Sequence, residues 1–171
     1  LVLSYSFKSR DYLAMLADVA HELSHCEAGL LRAHKMPSLE IAIRLGAEHS
    51  AGMLNFDDLF VSPGRDELGE LEELGERLQF DDPINIQFTS GTTGNPKGAT
   101  LSHHNILNNG FFVGEAIRLV PGDRVCIPVP LYHCFGMVMG NLGCLTHGAT
   151  MVYPAEAFEP LAVLEAVAEE K

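Results

Sequence analysis

The sequence predicts an α/β fold, a mainly parallel sheet flanked by helices. Segments whose apolar residues recur at every second position alternate with segments in which they recur at every third or fourth, in the order β-α-β-α-β-loop-α-β-α-β-α. The third strand also runs directly into a loop of Gly, Ser and Thr that a helix follows. In such sheets ligands sit beyond the carboxyl ends of the strands.

Composition limits the alternatives. With 171 residues and 47% hydrophobic content the chain can bury a core as a soluble domain. No apolar run is long enough to cross a bilayer and no secretory signal opens the sequence, so no transmembrane segment is expected. The expected compartment is the cytoplasm, or the mitochondrial matrix if a targeting segment precedes Leu1. The chain starts inside an apparent strand without a methionine and stops in an apparent helix, so it is expected to be a fragment of a longer protein. Eleven basic against 23 acidic side chains leave a net charge of −12, which repels nucleic acid. Cys26, Cys126, Cys134 and Cys144 show neither C-x-x-C pairing nor zinc spacing and are expected as free, largely buried thiols. Nothing in the sequence sets an oligomeric state.

In chain order, residues 1–5 read as a strand. Ser9 can then cap a helix whose Tyr12, Leu13, Leu16, Val19, Ala20 and Leu23 share one face. That helix carries His21-Glu22-Leu23-Ser24-His25, which matches the H-E-x-x-H zinc-protease pattern. Both imidazoles fall opposite the apolar stripe and no third ligand is obvious, since Glu40 follows in a segment that reads as a strand, so a solvated helix face is the expectation. Residues 39–45 alternate as a second strand closed by Gly46. A long connection follows, with a short helix at 56–60 and a stop at Ser62-Pro63-Gly64. An acidic helix spans about residues 66–78, as a solvated face.

Ile84-Asn85-Ile86-Gln87-Phe88 alternates as the third strand and leads into Thr89-Ser90-Gly91-Thr92-Thr93-Gly94-Asn95-Pro96-Lys97-Gly98. The glycines let backbone N–H groups turn inward, the hydroxyls add donors and Lys97 adds a positive charge, so residues 89–98 suit a polyphosphate. The loop is not a P-loop: counting from Gly91, Pro96 takes the place of the second glycine and Gly98 that of the magnesium-binding hydroxyl. Residues 99–101 form a brief extended return. Ser102 caps the next helix, with local structure the role of His103 and His104. Gly110 and Gly114 on that helix allow close approach to a neighbour before Pro121-Gly122-Asp123 ends it. A buried strand (125–129), a helix (135–145), a strand (149–153) and a helix (158–170) with Pro160 in its first turn complete the order. His147 has no evident role. After the buried strand, Pro128-Val129-Pro130-Leu131-Tyr132-His133-Cys134-Phe135-Gly136 brings a titratable imidazole into a turn stiffened by two prolines.

Thr89 to Gly98 resembles the signature loop of the adenylate-forming (AMP-binding) superfamily, and the chain is similar to its acyl-CoA synthetase branch. Phe88 stands for the tyrosine often found before that loop and Ala99 for a common valine. Pro130-Leu131-Tyr132-His133-Cys134-Phe135-Gly136 resembles the second core motif of the same superfamily. The resemblance runs from Asp82 to Tyr153 and, more weakly, back through Met36-Pro37-Ser38-Leu39 and Asn55-Phe56-Asp57-Asp58-Leu59.

The resemblance implies that residues 1–171 are part of a large N-terminal domain, with a C-terminal domain outside this sequence. It implies a ligase that joins a carboxylic acid, a medium- or long-chain fatty acid, to ATP and passes the acyl group to coenzyme A. Residues 89–98 would hold the nucleotide, with Lys97 catalytic against charge on the departing pyrophosphate. His133 would be catalytic and substrate-binding, beside the acyl carboxylate and the pantetheine tunnel, and Phe135 would shape the acyl pocket. Mg²⁺ would bridge the phosphates, and no residue here is identified as its ligand. Tyr-Gly-x-Thr-Glu, a ribose-binding Asp and a C-terminal lysine are absent from this sequence, so the chain alone is expected to be inactive. An adenylating enzyme for a carrier protein or another acid, a nonenzymatic nucleotide-binding module and, distantly, a zinc protease are the alternatives.

Overall fold

The computed structural model describes residues 1–90 and 94–170, and the chain divides into two units, Leu1–Glu72 and Glu73–Lys171. In the first, β1 (Val2–Leu3) runs parallel to β4 (Ile43–Arg44), which runs parallel to β5 (Leu54–Asn55). Between β1 and β4 lie an antiparallel hairpin of β2 (Ser6–Phe7) and β3 (Arg10–Asp11), then α1 (Tyr12–Val19). The hairpin occupies the chain that sequence assigns to the helix start, so Asp11 rather than Ser9 is the cap: its Oδ1 accepts the Ala14 N–H at 2.8 Å. Leu16 and Ala20 of the expected stripe are buried with Leu23, Leu31, Ala33, Ala42 and Met53, whereas Val19, at the helix end, is 42% exposed.

β5 lies inside what sequence reads as a connection. It is held by buried polar side chains. Arg44 Nη1 donates to the His49 carbonyl (3.1 Å) and Ser50 Oγ (2.8 Å), Nη2 to Glu48 (2.7 Å), and Asn55 Nδ2 to the carbonyls of Gly46 (2.8 Å) and Glu48 (3.0 Å). Those bonds close the loop between β4 and β5 and offset the cost of burying an arginine and an amide. α2 (Arg65–Arg77) has no buried residue, as its acidic sequence predicts.

In the second unit, β6 (Pro83–Thr89) and β7 (Lys97–Ser102) form an antiparallel hairpin, so the extended return is longer than its sequence suggests. Ser102 Oγ accepts the Asn105 N–H (3.4 Å) and opens α3 (His103–Ile117) as expected. β8 (Arg124–Cys126) pairs in parallel with β9 (Thr150–Val152), and α5 (Pro160–Glu170) starts on Pro160. Between β8 and β9 the chain forms a π-helix, Phe135–Leu142, then α4 (Gly143–His147). The fold is α/β. Its parallel pairings fall in two sets, β1-β4-β5 and β8-β9, and both hairpins are antiparallel.

The two α3 glycines act as expected. A Cβ on Gly110 would lie 2.5 Å from the Leu142 Cβ, and one on Gly114 would overlap the His147 ring. That ring stacks on Phe111 (centroids 5.2 Å apart) and bonds the Gly143 carbonyl through Nδ1 and Glu115 through Nε2, each at 3.1 Å. His147 is therefore a packing residue.

Candidate functional site

The hairpin delivers both ends of the glycine loop to one neck. Thr89, last in β6, is the register partner of Lys97, first in β7, and Thr89 Oγ1 donates to the Lys97 carbonyl at 3.4 Å. Antiparallel pairing thus converts a separation of eight residues into adjacency. Gly91, Thr92 and Thr93 lie outside the described residues. Thr89, Ser90, Gly94, Asn95, Pro96, Lys97 and Gly98 are all exposed, with Gly94 at φ 99°, in the left-handed region glycine favours. No carboxylate pairs with Lys97 among the described residues, so its charge is available to an anion.

The strand that carries the loop alternates, but with the faces opposite to the usual assignment. Ile84, Ile86 and Phe88 are 46%, 62% and 67% exposed, while Asn85 and Gln87 are half-buried. Gln87 Nε2 donates to the Tyr132 carbonyl at 3.3 Å. That bond brings the two sequence motifs together, since Tyr132 immediately precedes His133. Sequence reasoning missed Gln87 because a polar residue in an alternating strand is ordinarily solvent-facing.

His133 is held on several sides. Its N–H donates to the Pro130 carbonyl (3.1 Å), and its own carbonyl accepts the Met137 N–H (3.0 Å). Nδ1 accepts the Phe135 N–H at 3.1 Å, with the Cys134 sulfur 3.7 Å away. In the neutral imidazole the backbone donor assigns the proton to Nε2. The exposed ring can then offer an Nε2–H to an acceptor such as a carboxylate. Gly136 seals the turn: a Cβ there would stand 2.5 Å from the Pro130 oxygen. Phe135, 50% exposed, opens the π-helix, a local widening often found at functional sites.

The zinc-protease pattern is corrected. α1 stops at Val19 and residues 23–25 form a separate 3₁₀ turn, so His21 and His25 are not one turn apart on an α-helix. Glu22 instead accepts the His34 N–H at 3.1 Å, and backbone hydrogen bonds to Glu22, from its own N–H and that of His34, hold its carboxyl below the usual range. Both histidines face solvent, as predicted. Of the cysteines Cys144 is buried, Cys26 and Cys126 are half-buried and Cys134 is exposed; all four are free. No helix among the described residues is long and apolar enough to cross a membrane.

A strand and its return that bring Thr89 beside Lys97, with a histidine turn tied to that strand through Tyr132, place the two sequence motifs together in an α/β unit. Residues 7–171 match the family model described as AMP-binding enzyme, and the chain belongs to that family. It is 41% identical over 167 residues to "Medium-chain acyl-CoA ligase ACSF2, mitochondrial" of Danio rerio, which covers 96% of this chain and 27% of the relative. It is 39% identical over 171 residues to "Putative acyl-CoA synthetase YngI" of Bacillus subtilis (strain 168), covering 100% of this chain and 31% of that one. The chain thus spans about three-tenths of the length of these relatives.

Two solved structures share the fold. The anthranilate CoA ligase AuaEII in complex with anthranoyl-AMP superposes with a TM-score of 0.67 at 19% identity, over 99% of this chain and 28% of that one. Apo MbtA of Mycobacterium smegmatis gives 0.64 at 21%, over 98% and 32%.

Proposed function

We propose that the whole protein is an AMP-forming acid–thiol ligase: it activates a fatty acid with ATP as an acyl-adenylate and transfers the acyl group to coenzyme A. The names of the ACSF2 relatives favour medium chain length. The compartment this reading supplies is the cytoplasm or, as the ACSF2 names say "mitochondrial", the mitochondrion. The observation that carries it is the loop neck, where β6 and β7 pair Thr89 with Lys97 and leave the Lys97 charge without a carboxylate partner among the described residues.

In the first step a carboxylate oxygen of the acid attacks the α-phosphorus of ATP, the bond to the pyrophosphate oxygen breaks, and negative charge builds on the leaving group. Loop N–H groups, the Thr and Ser hydroxyls and Lys97 stabilise that charge, and the pairing of β6 with β7 holds Thr89 and Lys97 together at the loop neck beforehand. His133, with its proton on Nε2, donates to an oxygen of the acyl carboxylate and aims the other at phosphorus. Phe135 lines the acyl side. In the second step the thiol of coenzyme A gives its proton to solvent, its sulfur attacks the acyl carbon, the acyl carbon–oxygen bond to the phosphate breaks and AMP leaves. Magnesium would neutralise the phosphates, but no cluster of three His, Cys, Asp or Glu suited to a metal ion occurs among the described residues.

The test is acid-dependent ATP–pyrophosphate exchange and acyl-CoA formation by the full-length protein across acids of graded length. The expected result is thioester product with a maximum at medium chains. Exchange without thioester would redirect the reading to another acyl acceptor, and no exchange with any acid would end it. The 171-residue chain alone should form no acyl-CoA.

A further inference from the structure

We propose that Gln87 is a positioning residue, whose side-chain amide holds the Tyr132 carbonyl and so sets the His133 imidazole relative to the phosphate loop. The inference rests on the role given above to His133. Its starting point is the Gln87 side chain, which together with Asn85 is half-buried and which reaches from β6 to the Tyr132 carbonyl. An amide on an inward face costs free energy unless it is hydrogen-bonded. Gln87 meets that cost with its bond to Tyr132, whereas the buried Asn85 Oδ1 has no partner among the described residues.

The location of the bond makes it consequential. Gln87 stands two residues before Thr89 at the loop neck, and Tyr132 one residue before His133, so one hydrogen bond spans 45 residues of sequence. On its own side the His133 turn is already stiff, between two prolines and the Gly136 contact. A stiff turn moves as a body, and Gln87 donates a hydrogen bond that ties this body to β6. At 3.3 Å the bond is slightly long, as catalytic-site hydrogen bonds often are before ligands bind.

The experiment uses the full-length protein with Gln87→Met, which keeps the length and removes the donor, and Gln87→Glu, which keeps the shape and presents a carboxylate. Each is measured alone and with His133→Ala, by single-turnover adenylation, the KM values for acid and ATP, and thermal unfolding. Both variants should lower kcat about threefold to tenfold, the scale of one hydrogen bond, and raise KM for the acid while leaving that for ATP unchanged. In the His133→Ala background that loss should disappear, because a residue acting through His133 is not additive with its removal. An unchanged kcat, or a loss that persists in full without His133, overturns the proposal and leaves the ligase reading standing. If Gln87→Met does not fold, the same outcomes are read from Gln87→Glu. A wild-type protein without acid-dependent exchange removes both the ligase reading and this inference.

Discussion

Replacing Gly136 with alanine tests the geometry of the histidine turn most directly. The new Cβ would lie 2.5 Å from the Pro130 oxygen, 2.9 Å from its carbonyl carbon and 3.0 Å from the Val129 oxygen. Ordinary contact begins at 3.4 Å, so the first of these is short by about 0.9 Å. All three obstructing atoms are backbone, and Pro128 and Pro130 have φ locked, so the strain cannot relax through a rotamer change. Overpacking of this kind costs about 1–3 kcal/mol, more than the roughly 0.5–1 kcal/mol that alanine gains over glycine inside a helix. The net effect is destabilising. The same Pro130 oxygen accepts the His133 N–H, so the displacement reaches the imidazole. A shift near 1 Å at a positioned group costs on the order of 100-fold in rate. In the full-length protein, single-turnover adenylation by Gly136→Ala should fall about tenfold to 100-fold with ATP affinity retained, and its urea midpoint should drop. A variant with wild-type rate and midpoint would refute the close approach of Gly136 to Pro130.

Three further outcomes are expected. Lys97→Ala in the full-length protein should slow pyrophosphate release about tenfold to a thousandfold, read by single-turnover adenylation; an unchanged rate would remove Lys97 from the chemistry. Gly114→Ala should lower the denaturation midpoint despite alanine's helix preference of about 1 kcal/mol, because the His147 ring it meets is pinned by Phe111, Gly143 and Glu115; a raised midpoint would contradict that packing. Burial pushes the Cys144 thiol up, which favours its neutral form in the fold. The resulting stabilisation is complete below the unfolded thiol's pKa and fades as pH rises through the folded value. Cys144→Ala should therefore flatten the alkaline side of a plot of unfolding midpoint against pH, and alkylation should reach the exposed Cys134 well before Cys144.

Long elements with strong local signals were legible in the sequence. α2 and α5 stand close to their predicted bounds because acidic patterning and an N-terminal proline are local properties. Ser102 caps α3 as read, and Gly110 and Gly114 mark its close face. β2, β3 and β5 were not legible, since each lies outside the stretches read as strands, whereas the equally short β1 and β4 fall inside residues 1–5 and 39–45. The hairpin moved the first cap from Ser9 to Asp11. The end of α1 at Val19 dissolved the H-E-x-x-H spacing, which only a continuous helix would have supported.

The sequence by itself determined the chemical inventory: a glycine loop with a lysine and a histidine in a proline turn, because residue type and spacing along the backbone are enough to state donors, charge and stiffness. Tertiary structure alone decided which of these meet. Antiparallel pairing sets Thr89 beside Lys97, and Gln87 reaches Tyr132 across 45 residues. Such contacts depend on strand register and on which face of β6 turns inward, and a sequence with one period of alternation is equally compatible with either face.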